Sequence, residues 1–150
     1  MTDATASGAE RAPETRSVVM ERDLPHPPEK VWRALTTPAL LEDWLMKNDF
    51  EPRVGHKFAF RMEPSPAPNW DGVVLAEVLE VDRPHRLSYT WGAFSLASVV
   101  TWTLTPTATG THVRMEHRGF GPDNENAYRG ATAGWTRFIG QLENLLAHVA

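Results

Sequence analysis

"WTRFIGQLENLLAHV", residues 135–149, decides the fold. Trp135, Phe138, Ile139, Leu142, Leu145, Leu146 and Val149 recur at spacings of three and four, which places them on one stripe of an α-helix. The residues between them are mostly polar. A start near Asp123 or Asn124 gives a helix of about 25 residues, roughly 37 Å long at 1.5 Å per residue. A helix of that length with one apolar stripe must lie across most of a sheet.

The strands for such a sheet lie upstream. "SVVMERDL" (17–24) reads as a first strand, with Val18, Met20 and Arg22 on one face and Val19, Glu21 and Asp23 on the other. "GHKFAFRME" (55–63), "VVLAEVLEVD" (73–82), "RLSYTW" (86–91), "SVVTWTLTP" (98–106) and "THVRMEHRGF" (111–120) follow. The short turns "DRPH", "GAF" and "TATG" predict an antiparallel meander. The Pro-rich loop "PSPAPNWDG" (64–72) interrupts it once.

Between the first strand and the rest lies "PEKVWRALTTPALLEDWL" (28–45). Pro28 suits a first helical turn, Glu29 suits the positive end of the helix dipole, and Val31, Trp32 and Leu35 share a side. Thr37 then acts as the expected cap of a second helix that starts at Pro38 and buries Leu41, Trp44 and Leu45. The first helix has only Pro27 at its cap position. The predicted class is α+β: about six antiparallel strands, two short helices after the first strand, and one long C-terminal helix.

Residues 1–16 carry almost nothing to bury and are expected to be disordered or weakly docked, leaving 17–150 as a single domain. The 150 residues include 15 basic and 19 acidic side chains and no Cys. No basic run suggests nucleic acid, thiolate chemistry is excluded, and no apolar stretch is long enough to span a membrane. A cytoplasmic protein is expected.

The combination of "EKVWRALTTPALLEDWL", "EVDRPHRLSYTW", "VTWTLTPTATGTHVRMEHRGF" and "AGWTRFIGQLENLL", in that order, resembles the SRPBCC (START-like) superfamily. Within it, the chain is similar to the branch related to the C-terminal domain of the heat-shock-chaperone ATPase activator, over about residues 17–149. The resemblance implies a helix-grip fold, in which a curved sheet holds the long helix around an elongated cavity for an apolar or amphipathic molecule. It also implies that the two short helices cap one end of that cavity and that their bend forms part of its mouth. No metal and no cofactor are implied. A chaperone contact is not expected to carry over, because the chain has no room for the activator's separate N-terminal domain. A homodimer remains open.

On that fold, alternation assigns the cavity-facing side chains. Phe58, Phe60 and Met62 face inward from one strand, Leu75, Glu77 and Leu79 from the next, then Leu87, Tyr89 and Trp91, then Val100, Trp102 and Leu104, then Val113, Met115 and His117. Gly130 and Gly134 thin one stripe of the helix beside Phe138, leaving room for a guest or a close strand. The candidate ligand contacts are Trp44, Phe58, Phe60, Glu77, Tyr89, Trp91, Trp102, Met115, His117, Gly134 and Phe138. Trp44 and Trp70 are placed near the rim.

Glu77, Tyr89 and His117 are costly to bury unpaired. They suit a polar end to a ligand site, or a satisfied core network, with a bulge that turns Glu77 outward as a further option. If the protein is a cyclase-like enzyme, the same three form its acid/base set, with His117 nearest neutral pH. No catalytic motif demands that reading, and His112 and His117, five apart on a strand, point to opposite faces and cannot share a metal.

Overall fold

The computed structural model describes residues 15–62, 70–93 and 96–149. Its elements run β1 (Arg16–Leu24), α1 (Pro28–Thr36), α2 (Pro38–Trp44), β2 (Lys47–Asn48), β3 (Lys57–Arg61), β4 (Val73–Asp82), β5 (Arg86–Ala93), β6 (Leu96–Pro106), β7 (Thr111–Phe120) and α3 (Glu125–His148). The seven strands form one antiparallel sheet in the order β1-β7-β6-β5-β4-β3-β2. The expected α+β helix-grip arrangement is therefore present, with β2 as an additional two-residue strand at one edge. The expected N-terminal lead-in falls outside the described residues except for Thr15 and Arg16, and Arg16 already pairs with Phe120 in β1.

α3 spans 24 residues and buries Trp135, Phe138, Ile139, Leu142 and Leu146, as its stripe predicts. Those residues belong to one core with the inner sides of β5, β6 and β7, including Leu87, Val100, Trp102, Leu104, Val113 and Met115. Each such side chain contributes about 1.5–3 kcal/mol on burial. The first part of α3 differs. From Glu125 to Gly134 no residue is fully buried, so the helix is anchored from Trp135 onward.

The short helices start as the prolines dictate. Pro27 caps α1 without a side-chain bond, and its carbonyl accepts from the Lys30 and Val31 amides. Thr37 occupies the cap position of α2 but makes no side-chain cap bond; its carbonyl accepts from the Leu41 amide at 2.9 Å. Pro38 follows it directly and has no N–H to offer.

The expected inner face of β4 is wrong. Val74, Ala76 and Val78 point inward, whereas Leu75 is 66% exposed and Leu79 43%. The strand "VVLAEVLEVD" is apolar at both parities, so alternation alone cannot choose. Pairing chooses: Phe60 opposes Val74 and Phe58 opposes Ala76, and directly paired residues share a face. Glu77 accordingly lies on the outer face, opposite Lys57, with its amide donating to Thr90 Oγ1 at 2.8 Å. A bulge between Val78 and Glu80 then reverses the parity and sets Val81 against Leu87.

Candidate functional site

Two ends of the sheet–helix interior differ in how they are filled. Beneath α2, aromatic rings occupy the space. Trp44 is completely buried, its indole N–H donates to the Ala34 carbonyl at 2.9 Å, and its ring meets Trp102 edge-on at 5.7 Å. Trp102 donates in turn to the Tyr89 hydroxyl at 3.0 Å. Phe50, Phe58 and Phe60 close around Tyr89 at 5.6–6.3 Å. Burial drives the Tyr89 hydroxyl above the ordinary phenol range, against the opposing effect of the Trp102 bond.

At the other end, under the first half of α3, a cavity of about 580 Å³ remains. Its floor is formed by Trp91, His117, Phe120 and Trp135. Met62, Trp70, Val74, Ala93 and Leu96 border it where the strand ends meet, and Met46 reaches it from just beyond α2. Ala127, Gly130, Ala131, Gly134 and Phe138 form the helix side. A Cβ added at Gly130 would meet nothing within 4 Å, and one at Gly134 would meet only Phe138 at 3.8 Å. Neither glycine is required by a close strand, so the room they leave is part of the cavity.

Phe120 reaches the floor through a glycine. Val113, Met115 and His117 alternate inward along β7, and strict alternation would next bring in residue 119. Gly119 instead adopts φ +118° and forms a bulge, so that pairing with β1 skips from Arg118 to Phe120. A side chain at 119 would press the Ala97 carbonyl at 3.0 Å. Glycine alone suits both the conformation and the contact.

A chain of four groups ties the floor together. The Trp135 indole N–H donates to His117 Nδ1 at 3.0 Å. An indole nitrogen can only donate, so Nδ1 must hold a lone pair, and a neutral ring then carries its proton on Nε2. Nε2–H donates to Ser98 Oγ at 2.8 Å, and the Ser98 hydroxyl donates to the Trp91 carbonyl at 2.6 Å. His117 is 2% exposed, and burial pushes its pKa down to about 4. The ring is therefore neutral at pH 7 with both nitrogens engaged. It is not poised near neutrality, contrary to expectation.

Charge gathers at the cavity's edge. Glu125, in the first turn of α3, is held by Arg16 and Arg129, which lower its pKa. Arg16 also lies over the Tyr128 ring at 4.0 Å. Arg137 borders the cavity farther along α3, its guanidinium 5.0 Å from the Phe138 ring centre.

Of the expected ligand contacts, Trp91, His117, Gly134 and Phe138 line this cavity. Trp44, Phe58, Phe60, Tyr89, Trp102 and Met115 belong to the filled core, and Glu77 is on the outer face. The bend between the short helices contributes no residue to the cavity, and Trp44 is buried in the core rather than at a mouth. Trp70 does stand at the rim, while the rest of the proline loop, residues 63–69, lies outside the described residues. Reasoning from sequence missed Phe120 and Ser98. Gly119 in a strand signals the first, as an internal strand glycine often marks a bulge; nothing in the pattern singles out the second. Among the described residues, no group of three His, Asp or Glu side chains is placed to hold a metal ion. No described helix is long and apolar enough to cross a membrane.

Comparison with known proteins agrees with this fold. Residues 25–147 match the family model described as activator of Hsp90 ATPase homolog 1-like protein, AHSA1. Protein MLL2253 from Mesorhizobium loti is 53% identical, with a TM-score of 0.81 over 90% of this chain and 99% of that one. Protein NE0264 from Nitrosomonas europaea is 26% identical, with a TM-score of 0.73 over 87% of this chain and 94% of that one. DynU16, from the dynemicin biosynthetic locus, shares the fold at 22% identity and a TM-score of 0.76, covering 88% of this chain and 47% of its own. None of the curated proteins matches the chain.

Proposed function

Since the chain belongs to the AHSA1 family of the START-like superfamily, we propose that it binds a small apolar or amphipathic molecule in the cavity under the first half of α3. The observation that carries this reading is a space of about 580 Å³ with an aromatic floor whose polar groups already satisfy one another. That volume is in the usual range for small-molecule sites, and apolar walls with few polar groups are their usual make-up. A guest there would gain mainly by covering Trp91, Phe120, Trp135 and Phe138.

The cofactor-free enzyme alternative is weaker. It depended on Glu77, Tyr89 and His117 acting together. Glu77 is on the opposite face of the sheet, Tyr89 is enclosed by aromatic rings, and His117 has no nitrogen to spare. For a chaperone contact, the family's description gives the precedent, whereas the cavity belongs to this chain itself.

Native mass spectrometry of freshly purified protein tests the proposal. The expected result is an excess mass that disappears on denaturation. A bare protein whose Trp91 and Trp135 signals also ignore added apolar molecules would overturn it.

A further inference from the structure

We infer that the guest of this cavity carries an anionic group, most simply a carboxylate, which Arg137 holds at the mouth. The inference rests on the binding reading above and deepens it to a ligand class, an amphipathic acid.

Arg137 is exposed and also borders the cavity, so it stands where the space opens to water. It is the one cation among the described lining residues, since His117 is neutral. Its guanidinium rests 5.0 Å from the Phe138 ring and has no carboxylate partner among the described residues. A guanidinium laid on a ring keeps its N–H edges available, and those edges match a carboxylate in a two-pronged geometry.

The two lining carboxylates, Asp123 and Glu125, stand at the start of α3, away from Arg137. Glu125 is taken up by Arg16 and Arg129. Asp123 precedes the N-terminus of α3, where helix dipoles favour its own negative charge. From Glu125 to Arg137 the helix rises about 18 Å. The cavity is thus acidic at one end, where Arg16 and Arg129 compensate Glu125 but not Asp123, apolar and neutral along its floor, and cationic at the other. An apolar body on Trp91 and Trp135 with its acid group at Arg137 would fit that order. The chain's net charge of −4 disfavours anions at long range, so any preference for an acid must arise locally.

The test uses four probes on the full chain: decanoate, decanol, decylamine and 2-naphthoate. Binding is followed by tryptophan fluorescence in the wild type and in Arg137→Ala, a surface change that should leave the circular dichroism spectrum intact. Decanoate is expected to bind five- to tenfold more tightly than decanol, on the order of one partly desolvated charge pair, and decylamine more weakly than either. Arg137→Ala should remove the advantage of decanoate while leaving decanol within about twofold of wild type. Stronger binding of 2-naphthoate than of decanoate would assign an aromatic acid, and the reverse a fatty acid. Equal affinities for the three decyl compounds, or an Arg137→Ala loss shared by acid and alcohol, would overturn the anion assignment while leaving the cavity reading in place. Failure of all four to bind would overturn both.

Discussion

The indole of Trp135, on α3, donates its N–H to Nδ1 of His117, on β7, at 3.0 Å. This bond joins helix to sheet at the boundary between filled core and open cavity, and it fixes the tautomer on which the rest of the chain depends.

Removing the acceptor should therefore be costly. His117→Leu keeps an apolar side chain of similar reach but leaves the buried Trp135 N–H without its partner. A loss of about 1–3 kcal/mol is expected in urea unfolding. His117→Gln, whose side-chain oxygen can accept the same bond, should lose less. Equal losses in the two variants would mean that the hydrogen bond contributes little.

The same histidine gives the protein an acid-side stability slope. His117 titrates near 4 in the folded state, against 6.5 for the ordinary group. Between those values the unfolded chain binds a proton that the folded protein does not. Its contribution is complete above pH 6.5 and is lost as pH falls toward 4, by up to about 1.4 kcal/mol per pH unit. His112 behaves oppositely. It is exposed, bonded at 2.8 Å to Asp23 and to Glu21, and these carboxylates raise its pKa. Its contribution is complete below pH 6.5 and is lost as pH rises through the raised value. Comparing the pH dependence of unfolding in wild type and His117→Gln isolates the first slope; an NMR titration should show His112 charging above pH 6.5 and His117 well below it.

The helix glycines separate space from stability. Gly130→Ala should stabilise the protein by about 0.5–1 kcal/mol, since the added methyl meets nothing and the helix gains a better former. Gly134→Leu should fold comparably but occupy the cavity, so that binding of decanol drops sharply while the unfolding midpoint holds. Unfolding of Gly134→Leu at much lower urea would show that the stripe is closely packed after all.

The sequence made the framework legible because its strongest signals are periodic and local. The α3 stripe, the two prolines that restart α1 and α2, and the alternation of β3, β5, β6 and most of β7 all correspond to observed elements. The candidate site was half legible. Trp91, His117, Gly134 and Phe138 follow from parity and stripe. Two events that shift parity did not show themselves as clearly. β4 is apolar on both faces, so only its pairing with Phe58 and Phe60 settles which side is inner. In β7 the Gly119 bulge brings Phe120 back to the inner side. Which end of the interior stays open was beyond pattern altogether. That outcome depends on Trp44, Trp102 and Tyr89 filling one end through a Trp44–Trp102 ring contact and the Trp102–Tyr89 hydrogen bond, while small residues leave space at the other.

The six tryptophans provide the most direct test of where a guest binds. Trp70, Trp91 and Trp135 border the cavity, whereas Trp32, Trp44 and Trp102 are buried away from it. Six indole N–H signals can be followed in a ¹⁵N-labelled sample during titration with decanoate. The signals of Trp70, Trp91 and Trp135 should shift together with one saturating curve, while the other three stay near their starting positions. Shifts of Trp44 and Trp102 instead, or none at any indole, would contradict a binding cavity under the first half of α3.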